Sequence, residues 1–275
     1  MGQGAASPDT PAGRRVMIGR VKGDRLMKRQ IARVLPLLTL IGWFFSGGPV
    51  HADSSALWRI AHDLCVPGQR AHADPSPCAE VDEAAGYVIL KDKVGATQFL
   101  LIATARITGI ESPEILSLEA PNYWDLAWRA RHHVEDRLGR ALPRDMLSLA
   151  INSRYGRGQD QLHIHIDCLR ADVRAALRDH QRDIGVFWSD FPVPLTGRSW
   201  RAIRVDGKDL AAINPFRLLA GEAGGDMAKH TLVVAGVTGE DERPGFAVLD
   251  DAANLLTLNR ASGERLQDHD CAVAR

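Results

Sequence analysis

The chain has no net charge, few cysteines and few aromatic residues, and each shortage restricts what it can be. Its 275 residues contain 34 basic and 34 acidic side chains, 4 cysteines and 6% aromatic residues. No Cys-x-x-Cys pair occurs, so the cysteine spacing indicates neither a zinc ribbon nor a redox-active dithiol. The remaining composition, 45% hydrophobic and 25% charged, is ordinary for a globular protein and excludes a disordered chain.

The overall charge balance conceals a strongly basic N-terminus. Residues 1–33 hold eight basic and two acidic side chains, whereas the rest of the chain holds 26 basic and 32 acidic ones. A body with an excess of acidic groups has no general attraction for nucleic acid, whose binding depends on phosphate neutralisation by Lys and Arg. Nucleic acid is therefore not expected among the partners of this protein.

An apolar segment follows the basic leader. Residues 34–52 contain no Asp, Glu, Lys or Arg and end in small residues that offer a cleavage point, a pattern typical of an export signal. Its mostly apolar part, residues 34–45, is shorter than the about 20 residues of a spanning helix, although an uncleaved anchor could extend further. Two alternatives remain, a cleaved periplasmic protein and one anchored by residues 34–52 at the periplasmic face of the inner membrane. Both put residues 53–275 outside the cytoplasm.

Four cysteines in an exported protein predict two disulfides. Three pairings are possible. We favour Cys65–Cys78, which closes a short loop rich in Pro and Gly and stabilises by about 3 kcal/mol in the chain-entropy model. That choice leaves Cys168–Cys271 as the second bond. The alternative is four buried thiols.

The order of predicted elements indicates an α+β fold. Short apolar segments predict strands at 86–91, 98–106, 146–152 and 161–169, with an amphipathic helix at 121–139 between the two pairs. This order forms an antiparallel sheet with a packed helix. Residues 171–275 offer similar elements in a similar order and are interpreted as a degenerate repeat of residues 53–170, although no catalytic motif recurs. The other predicted elements are helices at 54–64, 172–183, 215–220 and 263–269, and strands at 200–205, 230–237 and 246–250.

The most informative stretch is residues 147–169, in which a polar, Gly-rich loop leads into a strand. His163, His165 and Asp167 alternate on that strand, so their side chains share one face, with about 7 Å between successive members. A loop of this kind can bind phosphate through its backbone N–H groups. The stretch therefore predicts a site in which two imidazoles and a carboxylate act on a phosphate.

The spacing of this stretch resembles that of the histidine triad superfamily. The resemblance rests on Asn152, on Gly158-Gln159 and on the alternating His163 and His165, and the predicted strand order agrees with it. The chain departs from the superfamily at Asp167, where a third histidine is usual. It departs again at Arg154, where many members have glycine.

Within that superfamily the chain resembles the bacterial CDP-diacylglycerol pyrophosphatases. The resemblance covers roughly residues 57–271 and rests on the export signal and on PSPCAEV, GYVILKD, LAINSRYGRGQDQLHIHI and LLTLNRAS. It implies a histidine-triad-like fold and a hydrolase of phospholipid metabolism that splits CDP-diacylglycerol into CMP and phosphatidate. It also implies action at a membrane surface and no cofactor.

The resemblance further implies roles for individual residues. His165 matches the nucleophile, which would form a cytidylyl-histidine intermediate that water then cleaves. His163 and Asp167 would fix the reactive tautomer or orient water. His269 is a further candidate, since a disulfide to Cys271 would bring it close to the catalytic strand. The residues expected to hold the phosphate oxygens are Asn152, Ser153, Arg154, Arg157 and Gln159.

Two alternatives stay open on the sequence. His163, His165 and Asp167 also match the start of the H-x-H-x-D-H signature of metallo-β-lactamase-type hydrolases, and could be ligands in a metal-dependent phosphohydrolase. Cys168 interrupts that signature, which has no role for Asn152. The second alternative is a periplasmic protein that binds a nucleotide or lipid without turnover. The apolar segment 187–195 could face the membrane or cover a core edge.

Overall fold

The computed structural model describes residues 53–239 and 242–275. The predicted leader, residues 1–33, and the export signal, residues 34–52, lie outside the described residues. The strands are β1 (Glu80–Asp82), β2 (Tyr87–Lys91), β3 (Phe99–Ala103), β4 (Leu147–Ile151), β5 (His163–Leu169), β6 (Ser189–Asp190), β7 (Arg201–Asp206), β8 (His230–Thr238), β9 (Pro244–Ala252) and β10 (Gln267–Asp268). The α-helices are α1 (Ala56–Arg59), α2 (Val66–His72), α3 (Tyr123–Arg129), α4 (His132–Leu138), α5 (Ala171–Asp179) and α6 (Pro215–Ala220).

A π-helical turn, Ile60–Cys65, joins α1 to α2 into one N-terminal helix. Short 3-10 turns connect other elements, at Pro113–Leu116, Arg144–Met146, Gln181–Asp183, Met227–Lys229, Leu255–Thr257, Gly263–Leu266 and Ala272–Ala274. None of the helices in the described ranges is both long enough and apolar enough to span a bilayer.

All strands belong to one antiparallel sheet, and the predicted α+β class is confirmed. The strand order is β1-β2-β3-β5-β4-β8-β9-β7-β6, and β10 pairs with the end of β5 that extends beyond β3. In the register, Leu100 of β3 and Ala150 of β4 flank His165 of β5. The histidine strand thus lies in the interior of the sheet.

The two halves of the sheet have the same topology. In the first, β2, β3, β4 and β5 are arranged as β2-β3-β5-β4; in the second, β6, β7, β8 and β9 are arranged as β6-β7-β9-β8. Each half has helical segments between its second and third strands, and the halves meet where β4 pairs with β8. The predicted similarity of element order is therefore present in the fold. A common origin of the two halves stays a prediction.

Different helices cover the two faces of the sheet. On one face α3, α4 and α6 bury a continuous core across both halves, with Trp124, Trp128 and Phe216 fully enclosed. On the opposite face the N-terminal helix packs on β2 and β3 around Leu57, and α5 packs on the second half around Leu177. On this face, the polar side chains of β5 lie between the N-terminal helix and α5.

Several predicted elements end at other residues than expected. The helix predicted at 121–139 is divided at Ala130 and Arg131, because the Arg131 guanidinium donates to the Trp128 carbonyl and ends α3. The helix predicted at 54–64 continues to His72. The helix predicted at 172–183 begins at Ala171 and ends at Asp179.

The predicted closing helix at 263–269 is wrong. Residues Gly263–Leu266 form a 3-10 turn, and Gln267 and Asp268 then extend as β10 against Leu169 and Cys168. Backbone pairing with β5 and the nearby disulfide favour the extended conformation over helix. The short strands β1 and β6 were not predicted, since two or three residues carry no readable periodicity.

Both predicted disulfides are confirmed, and no cysteine is free. Cys65–Cys78, with 5.7 Å between the Cα atoms, joins the N-terminal helix to the segment before β1. Cys168–Cys271, with 5.2 Å between the Cα atoms, joins β5 to the C-terminal tail. The second bond holds residues distant in the sequence next to the histidine strand.

Candidate active site

β5 presents His163, His165 and Asp167 on one face, as the alternation predicts. All three side chains are buried, Asp167 completely. The rings of His163 and His165 meet edge to face with 5.0 Å between their centroids. Because β5 is paired with β3 and β4, the positions of the Cα and Cβ atoms of these residues are fixed by the sheet.

His163 has a fixed tautomer. Its Nδ1 donates to the Gln161 backbone carbonyl at 2.6 Å, which leaves a lone pair on Nε2. Burial, followed by the neighbouring His165, lowers the pKa of His163 to about 4. His163 is therefore neutral at physiological pH and can accept a hydrogen bond.

His165 is held between two polar side chains. The buried Gln98 carboxamide donates from Nε2 to the His165 Nδ1 at 2.7 Å. On the other side of the ring, Nε2 lies 2.8 Å from a carboxylate oxygen of Glu264. The ring is thus oriented from behind by Gln98 and faces an anion in front.

Glu264 and Asn152 form the front of the site. The Asn152 carboxamide donates to Glu264 Oε2 at 2.9 Å, and its nitrogen lies 3.5 Å from the His165 Nε2. Burial acts to raise the pKa of Glu264, but the hydrogen bonds from His165 and then Asn152 outweigh it and lower this pKa to about 2. An ionised carboxylate therefore occupies the space in front of the His165 Nε2.

Asp167 lies behind this centre and is bound to the C-terminal tail. One carboxylate oxygen accepts from Thr97 Oγ1 at 2.7 Å and from the Cys168 backbone N–H at 2.8 Å, and the other lies 2.7 Å from His269 Nδ1. Burial raises the pKa of Asp167, and the hydrogen bond to Asp167 raises the pKa of His269. The pair is therefore arranged to share a proton.

Backbone hydrogen bonds, a close glycine contact and a nearby disulfide fix the position of His269. The backbone N–H groups of Ala96 and Thr97 donate to its carbonyl at 2.8 and 3.0 Å. Gly95 has φ +64°, and a Cβ there would lie 2.2 Å from the His269 Cβ. Only glycine fits so close to the tail, and the Cys168–Cys271 bond fixes the tail two residues further on. The candidate role of His269 near β5 is thus supported by its position.

The Gly-rich loop between β4 and β5 is fastened to residues 260–261. Ser153 Oγ donates to the Arg260 carbonyl at 2.5 Å, and the Ser153 N–H donates to the Ala261 carbonyl at 3.0 Å. A Cβ on Gly156 would lie 2.8 Å from the Ala261 oxygen, so this position requires glycine. Ser153 therefore orders the loop.

Arg157 and Gln159 also contribute contacts to the loop. The Arg157 guanidinium, 4% exposed, forms a two-pronged ion pair with Glu111 at 2.6 Å and contacts Asp160 at 3.1 Å. Gln159 accepts from the Leu57 backbone N–H at 3.1 Å and donates to the Asp53 carbonyl at 3.0 Å. The Arg154 side chain is exposed, and its backbone N–H donates to the Ala228 carbonyl.

A cavity of about 390 Å³ opens in front of the two histidines. Of the residues predicted from the sequence, it is lined by Asn152, Gln159, His163 and His165; Ser153, Arg154, Arg157, Asp167 and His269 are not in its lining. A Cβ added to Gly158, another lining residue, would meet no atom within 4 Å, which leaves room for a ligand to approach the backbone. The apolar wall consists of Leu57, Ile60, Leu90 and Leu100, and the lysines of the lining are Lys91 and Lys93.

Sequence reasoning missed Gln98 and Glu264. A signal for Gln98 existed, because a polar residue that begins an otherwise apolar strand is unusual unless it has a partner. Glu264 lies 99 positions after His165 and outside the segments that carry the resemblance. Its place in the site follows only from the folding of the tail across the sheet.

The geometry bears on the metal-site alternative. In the part of the chain that the structure describes, the residues whose ligand atoms lie within 4.8 Å of one another are Glu80, His132 and His133, which are remote in sequence from the β5 histidines. His163, His165 and Asp167 do not converge in this way. Both oxygens of Asp167 already accept hydrogen bonds from protein groups. The arrangement favours imidazole chemistry over shared coordination.

Comparison with known proteins agrees with the motif. A family model described as CDP-diacylglycerol pyrophosphatase matches residues 52–275. A protein of Yersinia pestis named CDP-diacylglycerol pyrophosphatase is 42% identical over 225 residues, which cover 81% of this chain and 86% of that protein. With the whole described fold inside the match, the chain belongs to the CDP-diacylglycerol pyrophosphatase family.

Proposed function

We propose that this protein hydrolyses the pyrophosphate bond of CDP-diacylglycerol to CMP and phosphatidate through a cytidylyl-His165 intermediate. The observation that carries the proposal is the anion site in front of the His165 Nε2, where that nitrogen and the Asn152 carboxamide both bind a carboxylate. A phosphate oxygen has the charge and the hydrogen-bonding capacity of that carboxylate. The name of the Yersinia pestis relative supports the choice of substrate.

In the first step the His165 Nε2 attacks the phosphorus that carries cytidine. A P–N bond forms, the bond to the bridging oxygen breaks, and phosphatidate leaves as an anion that needs little protonation. Attack requires the tautomer with hydrogen on Nδ1. The Gln98 carboxamide can accept that hydrogen by turning its oxygen towards the ring, so it can hold either tautomer.

In the second step water attacks the cytidylyl phosphorus. The P–N bond breaks and CMP leaves. The imidazole of His165 keeps the hydrogen on Nδ1 and regains the lone pair on Nε2, and the proton released by the attacking water passes to solvent. His163 is neutral and has a free Nε2 lone pair beside His165, so it can accept a hydrogen bond from that water. Asp167 and His269 share a proton behind the strand and are proposed to hold β5 and the tail in the reactive arrangement.

Glu264 is proposed to give up its place when substrate binds. Its ionised carboxylate would repel a phosphate at the same position, and its side chain is 34% exposed, so it has solvent to move into. Asn152 would then turn its N–H groups from the carboxylate to the phosphate oxygens. An exchange of one anion for another keeps the N–H groups of Asn152 paired throughout.

Positive charge for the diphosphate is proposed to come from Lys91 and Lys93. Both line the cavity, whereas the guanidinium of Arg157 is already neutralised by Glu111 and Asp160. Ser153, Arg157 and Gln159 are accordingly assigned to ordering the loop, and Gly158 to close approach of the substrate. Arg154, which is exposed, has no assigned contact with the reacting phosphates.

The place of action is proposed to be the periplasmic side of the inner membrane. The basic residues 1–33 and the uncharged residues 34–52 support export, and two disulfides suit an oxidising compartment. A lipid substrate also requires access to a membrane surface. Whether residues 34–52 are cleaved or retained as an anchor is decided by the N-terminal sequence of the mature protein.

The experiment that tests the proposal measures CMP release from CDP-diacylglycerol with and without EDTA. We expect release that survives the chelator, because the proposed chemistry uses only side chains. Loss of release that zinc restores would support the metal-dependent alternative. No release under any condition, together with tight binding of the lipid, would support a non-catalytic binding protein.

A further inference from the structure

Three leucines project from one short loop of the described structure. We call residues 254–259, of sequence NLLTLN, the leucine loop. Leu255, Leu256 and Leu258 are 56%, 97% and 83% exposed. By contrast, the segment 187–195, where lipid contact was considered from the sequence, buries Phe191 and Leu195 in the core and exposes Phe187.

The leucine loop is ordered by its own hydrogen bonds. Asn254 and Asn259 exchange backbone hydrogen bonds of 2.8 and 2.9 Å, and the Asn254 side chain accepts from the Leu256 N–H at 3.1 Å. Leu258 has φ +56°, a region that disfavours side chains other than glycine, asparagine and aspartate. The fold thus holds a large apolar side chain outward at a position where glycine would be less strained.

The leucine loop follows β9 at the same end of the sheet at which the Gly-rich loop follows β4. Residue Ala252 at the end of β9 pairs with His230, and Ile151 at the end of β4 pairs with Leu232 two residues along the same strand, β8. The turn before β8 contacts the loop between β4 and β5 and the residue that precedes the leucine loop, since Ala228 accepts from the Arg154 N–H and Lys229 accepts from the Ala253 N–H. A surface that meets the leucine loop would therefore lie beside the entrance to the site.

The chain continues from the leucine loop directly into the active site. Arg260 and Ala261 accept hydrogen bonds from Ser153, and Glu264 contacts His165. On the other side of the cavity, Asp53 contacts Gln159, and Asp53 follows the uncharged segment 34–52 in the sequence. The residues that follow the leucine loop and the first described residue, Asp53, thus both contact the loop between β4 and β5.

The charges around the leucine loop suit an anionic lipid surface. No acidic residue occurs between Asp251 and Glu264, whereas Arg260 is exposed at the exit of the loop. The Arg198 guanidinium donates to the Thr257 carbonyl at 3.4 Å. Apolar tips flanked by cations are the combination that binds the interface of a bilayer with anionic lipids.

We propose that the leucine loop inserts into the bilayer that holds the substrate and places the cavity at the level of the lipid headgroups. The proposal rests on the proposed function, because a membrane lipid must reach a cavity that opens beside this loop. Insertion would bring the leucine side chains out of water, and the headgroup pyrophosphate would then lie near the loop between β4 and β5.

A single fluorescent label tests insertion without measuring turnover. All four native cysteines are in disulfides, so a Leu256→Cys variant of the full-length protein can be labelled at one thiol. The matched control is Leu118→Cys: this leucine is 82% exposed, and its neighbour Ser117 contacts α6 on the opposite face of the sheet. Both proteins are reconstituted with vesicles of phosphatidylcholine and phosphatidylglycerol.

We expect the label at position 256 to be quenched by nitroxides on the acyl chains and protected from aqueous iodide. The label at position 118 should be quenched by iodide and not by the nitroxides. Equal iodide access at both positions would overturn the proposal. Protection of position 256 without vesicles would also overturn it, because the loop would then pack against a second copy of the protein.

The second arm compares two forms of substrate. For Leu256→Ser/Leu258→Ser we expect about a 10-fold or greater loss of turnover of CDP-diacylglycerol in vesicles, with turnover of a water-soluble short-chain analogue unchanged. Leu118→Ser should change neither. Equal losses on both substrates would overturn membrane insertion. If the wild type cleaves neither substrate, the proposed function fails, and the labelling result alone decides the role of the loop.

Discussion

The two histidines of β5 differ in what holds them. His163 donates to a backbone carbonyl and is kept neutral by burial, whereas His165 lies between an amide and a carboxylate. Because their partners differ, we expect the two histidines to have different roles. Their alternation on the strand did not distinguish them. The sequence predicted that these side chains share a face. The polar position of Gln98 before an apolar strand indicated a partner without identifying it, and Glu264 lies in a distant turn that no local pattern connects to His165.

The low pKa of His163 predicts a specific dependence of stability on pH. Its pKa falls from 6.5 in the unfolded chain to about 4 in the fold, so between these values only the unfolded state binds the proton. The contribution of His163 to the free energy of unfolding should therefore decrease as pH falls from about 6.5 to about 4, by about 3 kcal/mol in total.

Urea unfolding of the wild type and His163→Gln at several pH values checks this. The difference between their free energies of unfolding should change with pH inside that window and stay constant above pH 7. A difference that does not vary with pH would show that His163 is not kept neutral by the fold.

Removal of the charge at Glu264 should favour substrate binding. In Glu264→Gln the anion in front of His165 is lost, and a phosphate no longer competes with it. We expect KM to fall by about 3- to 10-fold with kcat changed by less than about threefold. Steady-state kinetics of this variant on CDP-diacylglycerol measure both constants. A fall in kcat of two orders of magnitude with an unchanged KM would instead assign Glu264 to proton transfer.

Asp167 and His269 should behave as one unit. Asp167→Asn and His269→Gln each break the same hydrogen bond, so each should lower turnover by about 10- to 100-fold and the double variant should be no worse than either. Turnover of the four proteins provides the cycle. Additive losses would mean that the two residues have independent roles. If the wild type contains stoichiometric zinc and Asp167→Asn does not, Asp167 is a metal ligand and does not act as an orienting carboxylate.

At the scale of elements, β5 is the strand on which the site depends. It pairs with β3, β4 and β10: His165 and Ile166 lie between β3 and β4, and Cys168 lies between β4 and β10. The sequence pattern predicted β5 from its alternating residues and predicted β3 and β4 from short apolar segments. It did not predict β10, since two extended residues are defined by pairing and by the disulfide rather than by their own composition.

The two disulfides should therefore differ in their effect on activity. Replacing Cys168 and Cys271 by Ser releases a loop of sequence separation 103 and should cost about 4 to 5 kcal/mol of stability, against about 3 kcal/mol for Cys65 and Cys78 with separation 13. The first pair also frees the tail that carries His269 and Glu264, so turnover should fall with it.

Urea unfolding and turnover of both double variants, measured where each protein remains folded, check this. The Cys65/Cys78 variant is the matched control for the loss of a disulfide as such. Full turnover in a folded Cys168→Ser/Cys271→Ser protein would show that the tail keeps its position without the bond.

At the scale of the whole molecule, the site is assembled from both ends of the described chain. The antiparallel sheet and its α+β class could be predicted, because each long strand has a readable pattern. The closure of the site could be predicted only in part. The expected Cys168–Cys271 bond brought His269 to the histidine strand, but the contribution of the N-terminal helix to the apolar wall and the place of Glu264 could not be predicted. Contacts separated by about a hundred residues follow from topology and leave no trace in local spacing.

The central claim is that His165 becomes covalently cytidylylated. The most direct measurement is brief incubation with CDP-diacylglycerol labelled in its cytidylyl phosphate, followed by acid and alkaline treatment of the denatured protein. The account predicts an acid-labile label on the wild type that is absent from His165→Ala and present, with slower turnover, in His163→Ala. No label on an active wild type, or a label that persists in His165→Ala, would contradict it.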